Sequence, residues 1–102
     1  MPVKHIVLVK FTEGASSAVV KELSQAFSEL PSLIPGISAF ESGPNVSPEG
    51  LNHGFTHAFV ITFVGPAARD AYLPHVQHQA FVERLKPYLA DVLVVDYELT
   101  AT

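Results

Sequence analysis

A ferredoxin-like α+β sandwich, one antiparallel sheet with both helices packed on a single face, is the fold this 102-residue sequence predicts. Three observations lead there. Apolar runs of period two and of helical period follow one another in the order βαββαβ, punctuated by Pro and Gly. The strand-like runs are apolar on both faces. No linker, internal repeat or low-complexity tract interrupts the chain, so residues 1–102 read as a single domain of common size.

VKHIVLVKF, Val3 to Phe11, is rich in β-branched residues and reads as the first strand, with the turn-prone TEG after it. Ser16 or Ser17 is a plausible N-cap. Val20, Leu23, Phe27 and Leu30 then recur at helical spacing until Pro31, which is expected to stop the helix. Pro35-Gly36 turns the chain into a short strand, Ile37 to Ser42, and the Gly- and Pro-rich stretch from Gly43 to Gly54 is expected to be a mobile loop. FTHAFVITF, Phe55 to Phe63, is the clearest strand. A short helical piece starts at Pro66, a helix covers about Val76 to Lys86 and ends near Pro87, and VLVVDYEL supplies the last strand, Val92 to Leu99.

Alternation assigns the faces. Val3, His5, Val7, Val9 and Phe11 share one side of the first strand, and Ile6 and Leu8 lie on the other; Phe55, His57, Phe59, Ile61 and Phe63 oppose Thr56, Ala58, Val60 and Thr62 in the third. If helices cover one face, the other needs a second sheet, and an identical subunit supplies it. The 48% apolar and 16% charged composition agrees with a homodimer paired through its sheet faces. With 6 basic against 10 acidic residues and no basic cluster, nucleic acid is not an expected partner. No run approaches a membrane span and the first eleven residues do not form a signal peptide, so neither a membrane nor export is expected, and a cytoplasmic location is the simplest reading. The absence of cysteine removes disulfide and thiolate chemistry.

The stretch AYLPHVQHQAF, Ala71 to Phe81, sets a tyrosine and two histidines beside a proline where a helix begins. His78 lies three and four residues before Phe81 and Val82, on the buried stripe of that helix. His5 and His57 sit with the bulkiest residues of their strands. Three histidines are therefore expected to converge between sheet and helices, with Tyr72 leading into the helix, His75 at the pocket mouth and His53 solvated in the loop. Core packing accounts for any one of them alone. A zinc site built on His75 and His78 with His5 or His57 is an alternative on weak spacing, and no metal is expected. No carboxylate maps near the histidines.

VKHIVLVKF, FTHAFVITF, Tyr72 with His75 and His78 in AYLPHVQH, and the closing VVDYE resemble the stress-responsive dimeric α/β-barrel (Dabb) domain family over nearly the whole chain. The resemblance implies a dimeric α/β barrel with a pocket between each protomer's sheet and helices. Its polyketide cyclases imply a cofactor-free intramolecular aldol condensation in which His78 is the base and Tyr72 its catalytic partner, with His5 and His57 lining the pocket. Val7, Val9, Leu23, Phe27, Phe59 and Leu89 are expected to complete a substrate-binding wall. Phe27 and Leu89 stand where such a cyclase carries a tyrosine and a tryptophan. The expected ligand is a small apolar carbonyl compound, turned over by a cyclase-like lyase or isomerase or, alternatively, only bound by a non-enzymatic stress-responsive protein.

Overall fold

The structure, a computed structural model, describes residues 1–100. Strand β1 (Val3–Phe11) leads to helix α1 (Ser17–Leu33), then β2 (Ile37–Pro44), β3 (His57–Phe63), a short helix α2 (Pro66–Tyr72), helix α3 (Val76–Leu85), a 3-10 turn at Lys86–Tyr88 and β4 (Leu89–Glu98). The four strands form one antiparallel sheet in the order β2-β3-β1-β4, with the helices on one face: the expected ferredoxin-like α+β fold. Central β1 lies between β3 and β4, pairing His5 with Ile61 on one side and with Asp96 on the other.

The core lies between that sheet and the helices. Val3, Val7 and Val9 of β1 and Phe59, Ile61 and Phe63 of β3 are buried against Leu23, Phe27 and Leu30 of α1. Phe27 is the hub, its ring 4.6 Å from that of Phe59, 4.7 Å from Phe81 and 5.3 Å from Phe40. Such aromatic pairs add about 0.5–1.5 kcal/mol each beyond area burial. They tie α1 to both the sheet and α3.

Several boundaries differ from the sequence reading. α1 runs through Pro31 to Leu33, because a proline this close to the C-terminus removes a single helical hydrogen bond while Leu30 and Ile34, 3% and 2% exposed, keep the last turn packed. The Ile34 amide still donates to the Leu30 carbonyl at 2.9 Å. β2 continues to Pro44 and β4 begins at Leu89, since pairing with β3 and β1 extends them beyond their apolar runs. β3 starts at His57. The Thr56 amide donates to the Val9 carbonyl at 3.0 Å and the Asn45 amide to the Thr56 carbonyl at 2.7 Å, so the β2–β3 loop is tied down at its base. Gly36 has φ +95°, and a Cβ there would sit 2.7 Å from the Ala68 Cβ, so this glycine lets α2 lie against the turn before β2.

Among the described residues the other face of the sheet carries no helix. Ile6 pairs with Val60 and Val95, and Leu8 with Ala58 and Leu93. Leu93, Val95 and Tyr97 are 46%, 52% and 48% exposed. An open hollow of about 520 Å³ lies on this side beneath the β2–β3 loop, lined in part by Leu8, Ala58 and Leu93. Among the described residues no helix is long and apolar enough to cross a membrane.

Candidate active site

The site starts from a broken helix. α2 opens with Pro66 at its first position and closes at Tyr72, and Pro74 then prevents it from running on into α3. The break removes the amide partner that the Leu73 carbonyl would have in a continuous helix, because the Gln77 amide instead donates to His75 Nδ1 at 3.1 Å. His75 is thus the N-cap of α3 rather than a pocket residue. The stranded Leu73 carbonyl accepts from His78 Nδ1 at 2.9 Å and from Gln79 Nε2 at 2.7 Å.

That bond decides the chemistry of His78. A carbonyl only accepts, so Nδ1 carries the proton and, in the neutral ring, Nε2 holds the free lone pair. Burial holds the His78 pKa below the ordinary 6.5, with His5 and His75 nearby pushing the same way and the bond to Leu73 opposing them. The ring is therefore neutral at neutral pH. It lies against Tyr72, ring centres 4.1 Å apart. Tyr72 is wholly buried and its hydroxyl has no hydrogen-bond partner among the described residues; burial raises its pKa, so it stays a donor. A buried hydroxyl left unpaired costs about 1–3 kcal/mol, which a fold without use for it would be expected to avoid.

Both rings line a cavity of about 260 Å³ between β1, β4 and α3, with His5 and Val7 on its sheet side and Phe27, Phe81, Leu85 and Leu89 among its apolar walls. His5 is 5% exposed and its ring centre is 5.9 Å from that of Tyr72. A carboxylate stands behind it: Asp96 Oδ1 lies 2.6 Å from His5 Nδ1, and Asp96 Oδ2 accepts from Arg69 Nη1 at 2.7 Å. The expectation that no carboxylate sits near the histidines is therefore corrected. The signal was present in VVDYE, where Val92, Val94 and Asp96 alternate onto the helix-facing side.

The third histidine does not join the others. β1 and β3 run antiparallel, so His57 pairs with Val9, four residues along β1 from His5, or about 13 Å at strand rise. There it packs edge-on to Phe11, ring centres 5.1 Å apart, and its Nδ1 is 2.9 Å from the Thr56 hydroxyl. The expected convergence of three histidines is thus two. Val9, Leu23 and Phe59 belong to the core rather than the cavity lining. His53, exposed in the loop with φ 50°, borders the hollow on the opposite face. Among the described residues no group of three or more His, Asp or Glu side chains is placed to hold a metal ion.

The fold is that of a known family. The chain belongs to the stress responsive A/B barrel domain family, which it matches over residues 3–99. It is 38% identical over 100 residues to the Arabidopsis thaliana stress-response A/B barrel domain-containing protein HS1, covering 98% of this chain and 92% of that one. To the olivetolic acid cyclase of Cannabis sativa it is 26% identical over 97 residues, covering 95% and 96%. Among solved structures, the Arabidopsis thaliana protein At3g17210 superposes with TM-score 0.92 at 37% identity, covering 98% and 97%. A dimeric ferredoxin-like protein from Jannaschia gives 0.84 at 27%, covering 97% and 100%. The hydroxynitrile lyase of Passiflora edulis gives 0.91 at 22%, covering 99% and 95%, and shares the fold.

Proposed function

We propose that this protein is a lyase-like enzyme of the cyclase kind, acting on a small apolar polycarbonyl compound by acid–base catalysis without a cofactor. The observation that carries the reading is the His78–Tyr72 pair: a neutral imidazole whose tautomer is fixed by the Leu73 carbonyl, against a buried phenol with no partner of its own. His78 Nε2 takes a proton from a carbon flanked by two carbonyls, the resulting enolate carbon bonds to a remote carbonyl of the same molecule, and the Tyr72 hydroxyl donates to the oxygen that gains charge. The cavity walls suit an alkyl or aryl tail. Similarity to a cyclase by name supports this choice among base-catalysed reactions.

The test is conversion of a linear alkyl tetra-β-ketide, followed by liquid chromatography and mass spectrometry against the spontaneous reaction. Cyclic product should form faster with the protein and lose that advantage with His78→Ala; equal rates for the two proteins would sink the reading. The higher identity to a stress-response protein favours a second reading, a ligand carrier. Calorimetric binding of the same probe without conversion would select it.

We further propose that the protein works as a homodimer whose bare sheet faces meet. An apolar face bearing Ile6, Leu8 and Val60 beside the half-exposed Leu93 and Val95 is the kind of surface a subunit interface covers, and a structural relative is dimeric. Light scattering should give twice the 11.0 kDa chain mass. A value for one chain at micromolar concentration would refute the pairing.

A further inference from the structure

The chain Arg69–Asp96–His5 has no part in the reaction as drawn above, yet it ends on a ring of the same cavity. His5 and Asp96 are direct partners across β1 and β4, so the sheet register itself brings imidazole to carboxylate. A carboxylate rotates freely unless both oxygens are held. Here one oxygen meets Arg69 Nη1 at 2.7 Å and the other His5 Nδ1 at 2.6 Å, with side chains 25%, 22% and 7% exposed from Arg69 to His5. Arg69 stands three residues before Tyr72 on α2, so one short helix carries both the phenol and the clamp. Among the described residues His5 Nε2 makes no hydrogen bond.

We propose that Arg69, acting through Asp96, is a positioning residue that holds the His5 proton on Nδ1, so that His5 Nε2 faces the cavity as a second proton acceptor beside the Tyr72 hydroxyl. This rests on the cyclase reading for its use. Ring closure moves one proton from carbon to the new alkoxide by way of His78 and Tyr72. Loss of water then moves a second proton from the same carbon to the departing hydroxyl by way of His5, a carbon–carbon double bond forms, and water is the sole species released. A site with two fixed acceptors and one donor serves both transfers without resetting a single base between them.

Histidine-selective 15N labelling and long-range proton–nitrogen NMR at alkaline pH, with His5 assigned by the loss of its signals in His5→Gln, read the tautomer directly. In the unaltered protein the His5 proton should be on Nδ1. Asp96→Asn keeps the shape but offers an amide donor to Nδ1, so the proton should move to Nε2, and turnover should fall about 10²- to 10⁴-fold, as when a histidine loses its orienting carboxylate elsewhere. Arg69→Met should give mixed tautomers and turnover lower by about 10-fold with KM unchanged, and Arg69→Lys should recover most of the loss. A His5 proton on Nε2 in the unaltered protein, or a tautomer indifferent to both Asp96→Asn and Arg69→Met, overturns the proposal. The two readings fail separately: no cyclisation by the unaltered protein removes the function and leaves the NMR result to decide the clamp, whereas cyclisation untouched by Asp96→Asn removes the second acceptor and spares the function.

Discussion

The helix-facing side of the sheet has a histidine toward each end, and the two ends are built differently. At one, His5 and His78 meet Tyr72 around an apolar cavity, each ring held through Nδ1 by an acceptor, Asp96 for His5 and the Leu73 carbonyl for His78. At the other, His57 rests on Phe11 beside the Thr56 hydroxyl, and the imidazole that shares a hollow with it, His53, is exposed in the β2–β3 loop. Burial lowers the pKa of both His57 and His78, so desolvation does not distinguish them. What distinguishes them is company. On the proposed reading a base here needs a fixed tautomer and a neighbouring donor, and of these two ends the one closed by α2 and α3 supplies both.

The largest expected effect is a contrast between these ends. His78→Ala should lower turnover of the tetra-β-ketide probe by about 10³-fold, within the range for loss of a general base, whereas His57→Ala should change it by less than about 3-fold. Steady-state kinetics on both variants, with circular dichroism to show that each folds, checks this. Comparable losses in the two would erase the distinction.

Tyr72→Phe comes next because its two effects point in opposite directions. Turnover should fall by about 10- to 10³-fold with the loss of the donor. Stability should rise by about 1 kcal/mol, since the unpaired buried hydroxyl is gone, raising Tm by about 4–8 °C for a domain of this size. A Tyr72→Phe protein that melts lower would mean the hydroxyl has a partner, and the pairing with His78 would need another explanation.

The pH profile sharpens the same contrast. Since the folded-state pKa of His78 is below 6.5, this proposed base remains neutral as pH falls to that value, and turnover should decline only at lower pH. The sign for stability follows. The unfolded chain takes up protons at its histidines as pH drops through 6.5 while the partly buried His78 and His57 resist, so Tm should fall there and level off once the folded rings protonate. His78→Gln should remove part of that slope, and a slope identical to that of the unaltered protein would contradict the assignment. The smallest effect belongs to His75→Ala, which should cost about 1 kcal/mol through loss of the cap on α3 and leave turnover within about 2-fold.

Much of this architecture was legible in the chain. Period-two and helical patterns, with Pro66 and Pro74 as punctuation, define strands and helices whose order permits few sandwiches, and alternation sorts Val7 and His5 from Ile6 and Leu8 because a strand's side chains can only point two ways. The register followed less readily, yet it was within reach. His5 and His57 each stand third in a nine-residue run, and antiparallel pairing of two such runs puts third residues at opposite ends, so their separation needed strand direction as well as face.

Three features were decided by tertiary structure. Asp96 became part of the site because β4 lies next to β1 in a register that no local pattern specifies, and Arg69 because Gly36 allows α2 to settle close to the sheet's side of the chain. The tautomer of His78 depends on a carbonyl orphaned by a helix break, and the sequence showed the proline but not which side chain would take the vacant acceptor. The sequence by itself determined the elements, their faces and the kinds of side chain available, because those depend on local sterics and on burial of apolar surface. Which polar atoms meet was left to the tertiary structure, because hydrogen bonds reach only about 3 Å and are made or lost by displacements that hydrophobic periodicity cannot resolve.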